Sequence, residues 1–169
     1  MSPHPAPGVA GPVLLVVAGG AVSQAAIART AELAAGALVT VVGVGTSEIS
    51  RTNSASSRPA HLAYPAGDTR RLGVSPAPEE VRRTVALAMS VLENTGVMAM
   101  GHIVTHSPAR AVARVARARG ARVVIVDQPG PSSCGQPAVG LMAELRRRMY
   151  GSGIVVLAET DRRGGWVSA

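Results

Sequence analysis

A glycine-bearing loop between Asp127 and Gly140 is the stretch of this sequence whose residue types are best suited to binding a ligand. It follows the aliphatic run Val123 to Val126, which is too short and too β-branched for a helix and predicts a strand buried on both faces. An amphipathic helix follows the loop. Where such a strand leads through a Gly-rich loop into a helix, backbone N–H groups and the helix dipole converge on an anion, commonly a phosphate. The loop therefore predicts a phosphate site.

Three side chains within this loop are candidates for ligand binding or thiol chemistry. Ser132 and Ser133 can donate hydrogen bonds to a phosphate, and they are equally ordinary turn residues. Cys134 would be a reactive thiol if the loop stabilised its thiolate, but a lone loop cysteine is more often inert. As the chain contains one cysteine, no internal disulfide or Cys-based zinc cluster can form. This suits a reducing cytosol, and we expect a cytoplasmic protein.

Catalytic motifs are absent from the sequence. There is no Ser-His-Asp ordering with a nucleophile elbow, no paired carboxylates at a plausible site, no HExxH and no P-loop lysine. His61 lies near Tyr64 without a second ligand or carboxylate at metal spacing, so we expect it to be solvent-exposed and predict no metal site. We predict that this chain is not an enzyme.

Alternation places Met98, Met100, His102 and Val104 on one face of a predicted strand. The two methionines are candidates for a soft-metal or oxidation-sensing site. Packing against a helix is the simpler explanation, and for His102 it predicts a core or half-buried position.

Arginine supplies all the positive charge, because the chain has no lysine and a formal net charge of +7. Arg110, Arg114 and Arg117 recur at helical spacing and share one face, and a second group, Arg146 to Arg148, lies near the end of the fourth helix. Such a ridge can track a phosphate backbone, but nucleic-acid binders normally add aromatic platforms or a recognisable motif. A solvated arginine face is the preferred interpretation, and we expect no nucleic-acid partner.

Length and composition predict one domain with an aliphatic core, because 169 residues include no Phe and one Trp. No run approaches the about 20 apolar residues of a membrane span, so no membrane partner is expected. Residues 1–10 are expected to be a disordered tail and residues 159–169 a C-terminal tail.

The order of predicted elements alternates strand and helix along the chain. Strands are predicted at Pro12 to Val17, Leu38 to Val44, Val97 to Thr105, Val123 to Val126 and Ile154 to Leu157. Four helices are predicted: one from about Ser23 to Ala35, one that begins at Ser75 and is ended by Gly96, one from Pro108 to Arg119, and one before the last strand. The connection from Gly45 to Gly73 is expected to be functional or disordered. This order predicts an α/β fold with an open, parallel, five-stranded sheet and helices on both faces, in three α/β/α layers.

From His106 the sequence reads HSPARAVARVARARGARVVIVDQPG, which resembles a Pro-containing turn, third helix and fourth strand of the universal stress protein family. This family belongs to the adenine nucleotide alpha-hydrolase-like superfamily. The resemblance covers about residues 12–158. It implies a Rossmann-like domain over residues 11–158 with strand order 3-2-1-4-5 and a mobile loop at 45–75.

The family carries a nucleotide signature of Gly, two residues, Gly, nine residues, Gly and a Ser or Thr. Laid on this chain without a gap, it falls on Asp127, Gly130, Gly140 and Leu141. The two later glycines match. Asp127 adds bulk and negative charge beside a polyphosphate, and Leu141 cannot donate a hydrogen bond to one. An Asp that the family's nucleotide binders tend to carry after the first strand is replaced by Ala18.

The resemblance thus implies a degenerate nucleotide pocket. Its candidate residues are Val17, Ala18, Gly19, Gly43, Val126, Asp127, Gly130, Ser132, Ser133, Gly140 and Leu141. It also implies a homodimer through the fifth strand, with Ile154, Val155, Val156 and Leu157 at the edge. We expect a non-catalytic protein of the stress response that acts through a regulatory partner and binds ATP weakly or not at all. The alternatives are a functional ATP or AMP binder, with slow ATP hydrolysis, and a basic nucleic-acid-associated protein.

Overall fold

A computed structural model of the chain describes residues 11–18, 21–45, 78–128, 137–160 and 166–168. The strands are β1 (Val13–Val17), β2 (Ala21–Ser23), β3 (Val39–Val44), β4 (Ala99–Val104), β5 (Val123–Gln128), β6 (Val155–Thr160) and β7 (Trp166–Ser168), and the helices are α1 (Gln24–Ala34), α2 (Pro78–Asn94), α3 (Pro108–Ala118) and α4 (Pro137–Met149). The predicted connection beyond Gly45, the N-terminal tail, His61 and Tyr64 lie outside these ranges.

Five strands form one parallel sheet in the order β4-β3-β1-β5-β6. The central strand β1 pairs with β3 on one side and with β5 on the other, so that Leu15 lies opposite both Val41 and Ile125. All five residues of β1 are buried, as expected for a strand covered on both faces. When the five strands are counted alone, this order is the predicted 3-2-1-4-5. The numbering shifts because the short strand β2 was not predicted.

Two separate hydrophobic clusters cover the two faces of the sheet. Alternate residues of β1 point in opposite directions, with Leu15 in one cluster and Leu14 in the other. Helices α1 and α2 cover the Leu15 face, whereas α3 and α4 cover the Leu14 face. The predicted three-layer α/β/α architecture is confirmed.

Local sequence sets the limits of the helices. Ser23 caps α1, its Oγ accepting a hydrogen bond from the Ala26 N–H at 3.1 Å. The helix ends one residue before the predicted boundary, with Ala35 in the left-handed region at φ 45° and Gly36 at φ 86°. The first described residues of α2 include Glu79 and Glu80, which lie near the positive end of its dipole as predicted.

The predicted packing of the methionine face is wrong for Met98 and His102. Met98, just before β4, is 68% exposed and His102 is also exposed, whereas Met100 is half-buried and Val104 is buried. Strand β4 is at the edge of the sheet, and only its carboxyl end is included in the cluster that α3 covers. An edge strand can leave one face in water even when its sequence alternates as a half-buried strand does.

The C-terminal segment contributes strand structure that the sequence did not predict. Strand β6 runs on to Thr160, beyond the predicted end at Leu157, and β7 pairs antiparallel with β2, placing Trp166 opposite Ser23. Both β2 and β7 lie next to α2. Among the described residues, no helix is long and apolar enough to cross a membrane.

Candidate functional site

The carboxyl ends of β1 and β5 lie side by side where the strand order reverses direction. From β1 the chain proceeds to β3 on one side, while β5 occupies the other side. In open parallel sheets, the crevice outside such strand ends is the usual place for a ligand. Val17 and Val126, two candidate residues, are fully buried at these ends, and Ala18 just beyond β1 is half-buried. Val17 belongs to the cluster on the Leu15 face and Val126 to the cluster on the Leu14 face, so the two side chains point to opposite faces of the sheet.

Asp127, the next residue of β5, is 3% exposed and is bound by residues of the protein itself. One carboxylate oxygen accepts a hydrogen bond from the Ser23 hydroxyl at 2.7 Å, and the other accepts one from the Ser23 N–H at 2.9 Å. Burial of a carboxylate is costly unless such donors satisfy it. The pair joins the end of β5 to the start of α1 across 104 residues of sequence.

The Ser23 hydroxyl takes part in two hydrogen bonds. It accepts from the Ala26 N–H in the first turn of α1 while donating its own proton to Asp127. The Asp127 carboxylate therefore lies at the positive end of the α1 dipole, which favours a negative charge. A helix N-terminus at a crevice can otherwise attract an anionic ligand. Here the charge at this position comes from the protein.

Gly43 has a packing role at the end of β3. A Cβ atom built on Gly43 would lie 2.5 Å from a methyl carbon of Val81 and 2.6 Å from one of Val85. Gly101 on the neighbouring strand meets the same helix, with a built Cβ atom 2.9 Å from Val85. The close approach of α2 to β3 and β4 therefore accounts for both glycines without any ligand.

Gly140 and Leu141 lie in the first turns of α4 with contrasting surroundings. Gly140 is exposed, and no described atom comes within 4 Å of a Cβ atom built on it. Leu141 is 7% exposed and belongs to the hydrophobic cluster on the Leu14 face. The position that carries a hydroxyl residue in the family signature is therefore part of the core in this chain. Among the described residues, none fills the space beside Gly140.

Several predicted site residues lie outside the described ranges. These are Gly19, Gly130, Ser132, Ser133 and the thiol candidate Cys134. Of the candidate set, the structure thus brings together Val17, Ala18, Val126 and Asp127 at the crevice.

Sequence reasoning missed Ser23 as a site residue. Its capping position could be predicted from the start of the helix, but nothing in the sequence marks a partner so far along the chain.

The described residues contain no group of three or more His, Cys, Asp or Glu side chains arranged to hold a metal ion. His106 is exposed, with its Nδ1 2.9 Å from the hydroxyl of Thr105. His102 is exposed on the edge strand. Within the described ranges, the chemistry at the crevice is therefore hydrogen bonding by Asp127 and Ser23.

The predicted dimer edge is the outer strand β6. It pairs with β5 in register, Val123 opposite Val155, and no other described strand pairs with it. Val155 is 49% exposed, whereas Ile154, Val156 and Leu157 are half-buried. An exposed aliphatic edge strand is prone to pair with another chain.

Comparison with known proteins gives similarity in structure but none in sequence. No protein-family model matches the chain, and a search of curated proteins gave no significant match. A universal stress protein from Archaeoglobus fulgidus aligns with a TM-score of 0.52 at 16% identity, over 88% of this chain and 92% of that one.

Two further solved structures are of the same kind. A universal stress protein from A. fulgidus in complex with dAMP gives a TM-score of 0.52 at 15% identity, over 89% of this chain and 98% of the other. A protein of the universal stress protein family from Burkholderia pseudomallei gives a TM-score of 0.49 at 18% identity, over 91% of this chain and 98% of the other. Together with the strand order and the placement of its helices, the similarity to the A. fulgidus structures shows that this chain has the universal stress protein fold.

Proposed function

We propose that this chain is a non-catalytic, homodimeric binding protein of the cytoplasm that acts in a stress response through a regulatory partner. Its nucleotide pocket is degenerate and binds ATP weakly or not at all. The observation that carries this proposal is the buried bridge between Asp127 and Ser23.

The bridge opposes a triphosphate in two ways. It places a carboxylate at the strand ends where the phosphates of a nucleotide would lie, and like charges in a partly desolvated site repel one another. It also places the Asp127 carboxylate at the amino end of α1, where the helix dipole would otherwise favour an anionic ligand. Leu141 adds to this effect, because its buried aliphatic side chain leaves that position without a hydroxyl donor.

A calorimetric titration with ATP and Mg²⁺, and separately with dAMP, tests the proposal. We expect no saturable binding, or a dissociation constant weaker than about 100 μM, which corresponds to a binding free energy of only about 5 kcal/mol. Protein purified without added nucleotide should also release none that absorbs in the ultraviolet. A dissociation constant in the low micromolar range or below would contradict the degenerate pocket.

The second candidate is a functional adenine-nucleotide binder, which is favoured by the space that the described residues leave beside Gly140. The dAMP complex of a protein with the same fold makes this alternative specific. In that case Gly140→Ala should weaken nucleotide binding at least about tenfold, because the added methyl group would fill space that the phosphates need.

The control for this variant is Ser90→Ala, at an exposed position towards the carboxyl end of α2. This end of α2 leads into the start of β4, so it lies away from the strand carboxyl ends. Ser90→Ala should retain the wild-type affinity. The alternative is contradicted if no nucleotide binds, or if nucleotide binds tightly and both variants retain that affinity.

The homodimer is proposed to form by pairing of β6 with its counterpart in a second copy. Replacement of Val155 with Arg should weaken association at least about tenfold, because it places a charge in the shared edge. Sedimentation equilibrium measures the dissociation constant of the dimer. Met98→Arg is the matched control, since Met98 is exposed beside the opposite edge strand. A monomeric wild-type chain, or a dimer that dissociates with Met98→Arg instead, would contradict the use of β6.

A further inference from the structure

A basic groove runs between α3 and α4 on the face of the sheet opposite α1 and α2. It is lined by Arg110, Arg114 and Arg117 from α3, by Arg148 from α4 and by the small residues Ala113 and Ala118. The predicted arginine ridge on α3 is therefore joined by one arginine of the second group. Only the packing of α3 against α4 brings Arg148 to the ridge.

Charge pairing distinguishes α3 from the other three helices. On α1, Arg29 forms an ion pair with Glu32. On α2, Glu79 pairs with Arg82 and Arg83. On α4, Glu144 pairs with Arg147 and Arg148. Helix α3 contains no acidic residue. Within the described part of the chain, Arg110 and Arg114 form no ion pair with a carboxylate. Within the described residues, the positive charge of Arg110 and Arg114 is thus not compensated, whereas the other helices provide a glutamate one turn away from an arginine.

Two of the four arginines are held in place by the protein. The Arg117 guanidinium donates a hydrogen bond to the backbone carbonyl of Arg148 at 2.8 Å, at the negative end of α4. Arg148 Nε donates to Glu144 at 2.6 Å. Glu144 is the carboxylate beside this end of the groove, and it is already shared by Arg147 and Arg148. Preorganised arginines lose less side-chain entropy when they bind a ligand.

The chemistry of the groove favours phosphate. A guanidinium binds phosphate through parallel N–H donors, and arginine is the usual residue for this recognition. From Arg110 to Arg117 the ridge extends about 10 Å along the helix, which is longer than a single phosphate group. None of the described lining residues is aromatic, so these residues offer no platform for base stacking. A ligand would therefore be held through its phosphates and without sequence preference.

We propose that the groove between α3 and α4 binds a linear chain of phosphates, either the backbone of a nucleic acid or an inorganic polyphosphate. This proposal does not depend on the nucleotide pocket. The groove extends from Arg110 in the first turn of α3 to Arg117 and Arg148 at the carboxyl ends of their helices, which is the opposite end of the sheet from the strand carboxyl ends. The double variant Arg110→Gln with Arg114→Gln tests it, because both side chains line the groove and neither is tied to a carboxylate of the described residues.

Fluorescence anisotropy with a labelled 20-base-pair DNA duplex, measured in rising salt, is the assay. We expect the wild-type chain to bind at low salt and the double variant to bind at least about tenfold more weakly. The slope of log affinity against log salt should fall by about two, since each phosphate contact contributes about 0.9. The matched control is Arg82→Gln with Arg83→Gln, which removes the same charge from exposed positions on α2 and should change affinity less than about twofold.

Competition separates the two sources of phosphate. Displacement of the duplex by unlabelled duplex but not by an equal phosphate concentration of inorganic polyphosphate would identify a nucleic-acid backbone, and preferential displacement by polyphosphate would identify the free polymer. Two results would overturn the proposal. One is the absence of binding to either ligand at low salt, and the other is an equal loss of affinity in the α2 control, which would mean that net charge alone attracts the ligand.

Discussion

Replacing Asp127 with Ala should lower the free energy of unfolding by about 3 kcal/mol. The variant leaves the hydroxyl and N–H of Ser23 buried without their acceptor, and Ser23 is fully buried. An unsatisfied buried donor costs about 1–3 kcal/mol, and hydrogen bonds to a charged group are at the upper end of that range. Urea unfolding followed by circular dichroism measures the loss.

Two further variants show whether the bridge is the cause. In a double-mutant cycle with Ser23→Ala, the coupling between positions 23 and 127 should be about 1–3 kcal/mol, because the two side chains contact each other directly. Ser107→Ala is the matched control. Ser107 also precedes a helix, but its side chain makes no capping hydrogen bond, so its loss should change stability by less than about 0.5 kcal/mol. A loss below about 1 kcal/mol in Asp127→Ala would show that the bridge contributes little.

Replacing Gly43 with Ala should destabilise the fold by about 2 kcal/mol. The added methyl group would lie within 2.6 Å of methyl carbons of Val81 and Val85, both buried between α2 and the sheet. Valine in a helix has essentially one comfortable rotamer, so neither side chain can turn away, and α2 must shift. Insertion of a methyl group into a close-packed core typically costs about 1–3 kcal/mol.

The same substitution at Gly140 is the control for Gly43. No described atom lies within 4 Å of a Cβ atom there, and Gly140 is an exposed helical residue. Gly140→Ala should therefore stabilise the chain by about 0.5–1 kcal/mol, the difference in helix propensity. Thermal and urea unfolding of the two variants should shift in opposite directions. If Gly43→Ala is as stable as the wild-type chain, α2 does not approach β3 this closely. Packing would then not explain Gly43, and a ligand contact would again be the explanation.

The fold was largely predictable from the sequence because its signals are local. Runs such as VLLVV are too apolar for a strand with a solvent face, and Gly and Pro mark the ends of helices and strands. The exceptions were positions at the margins of the sheet. Met98 and His102 alternate with apolar residues as a half-buried strand does, yet they are exposed because β4 is at the edge. Alternation identifies a face but not whether another element covers it.

The candidate site was predictable in place but not in arrangement. The sequence alone determined that an acidic residue, Asp127, follows the run Val123 to Val126 where a glycine would admit a ligand, that α3 carries arginines without glutamates, and that Ser23 begins a helix. Only the tertiary structure decided that Ser23 and Asp127 meet, that Gly43 faces α2, and that Arg148 joins the α3 ridge. Spacing of a few residues is fixed by helix and strand geometry, whereas contacts between distant residues depend on how the helices pack on a twisted sheet.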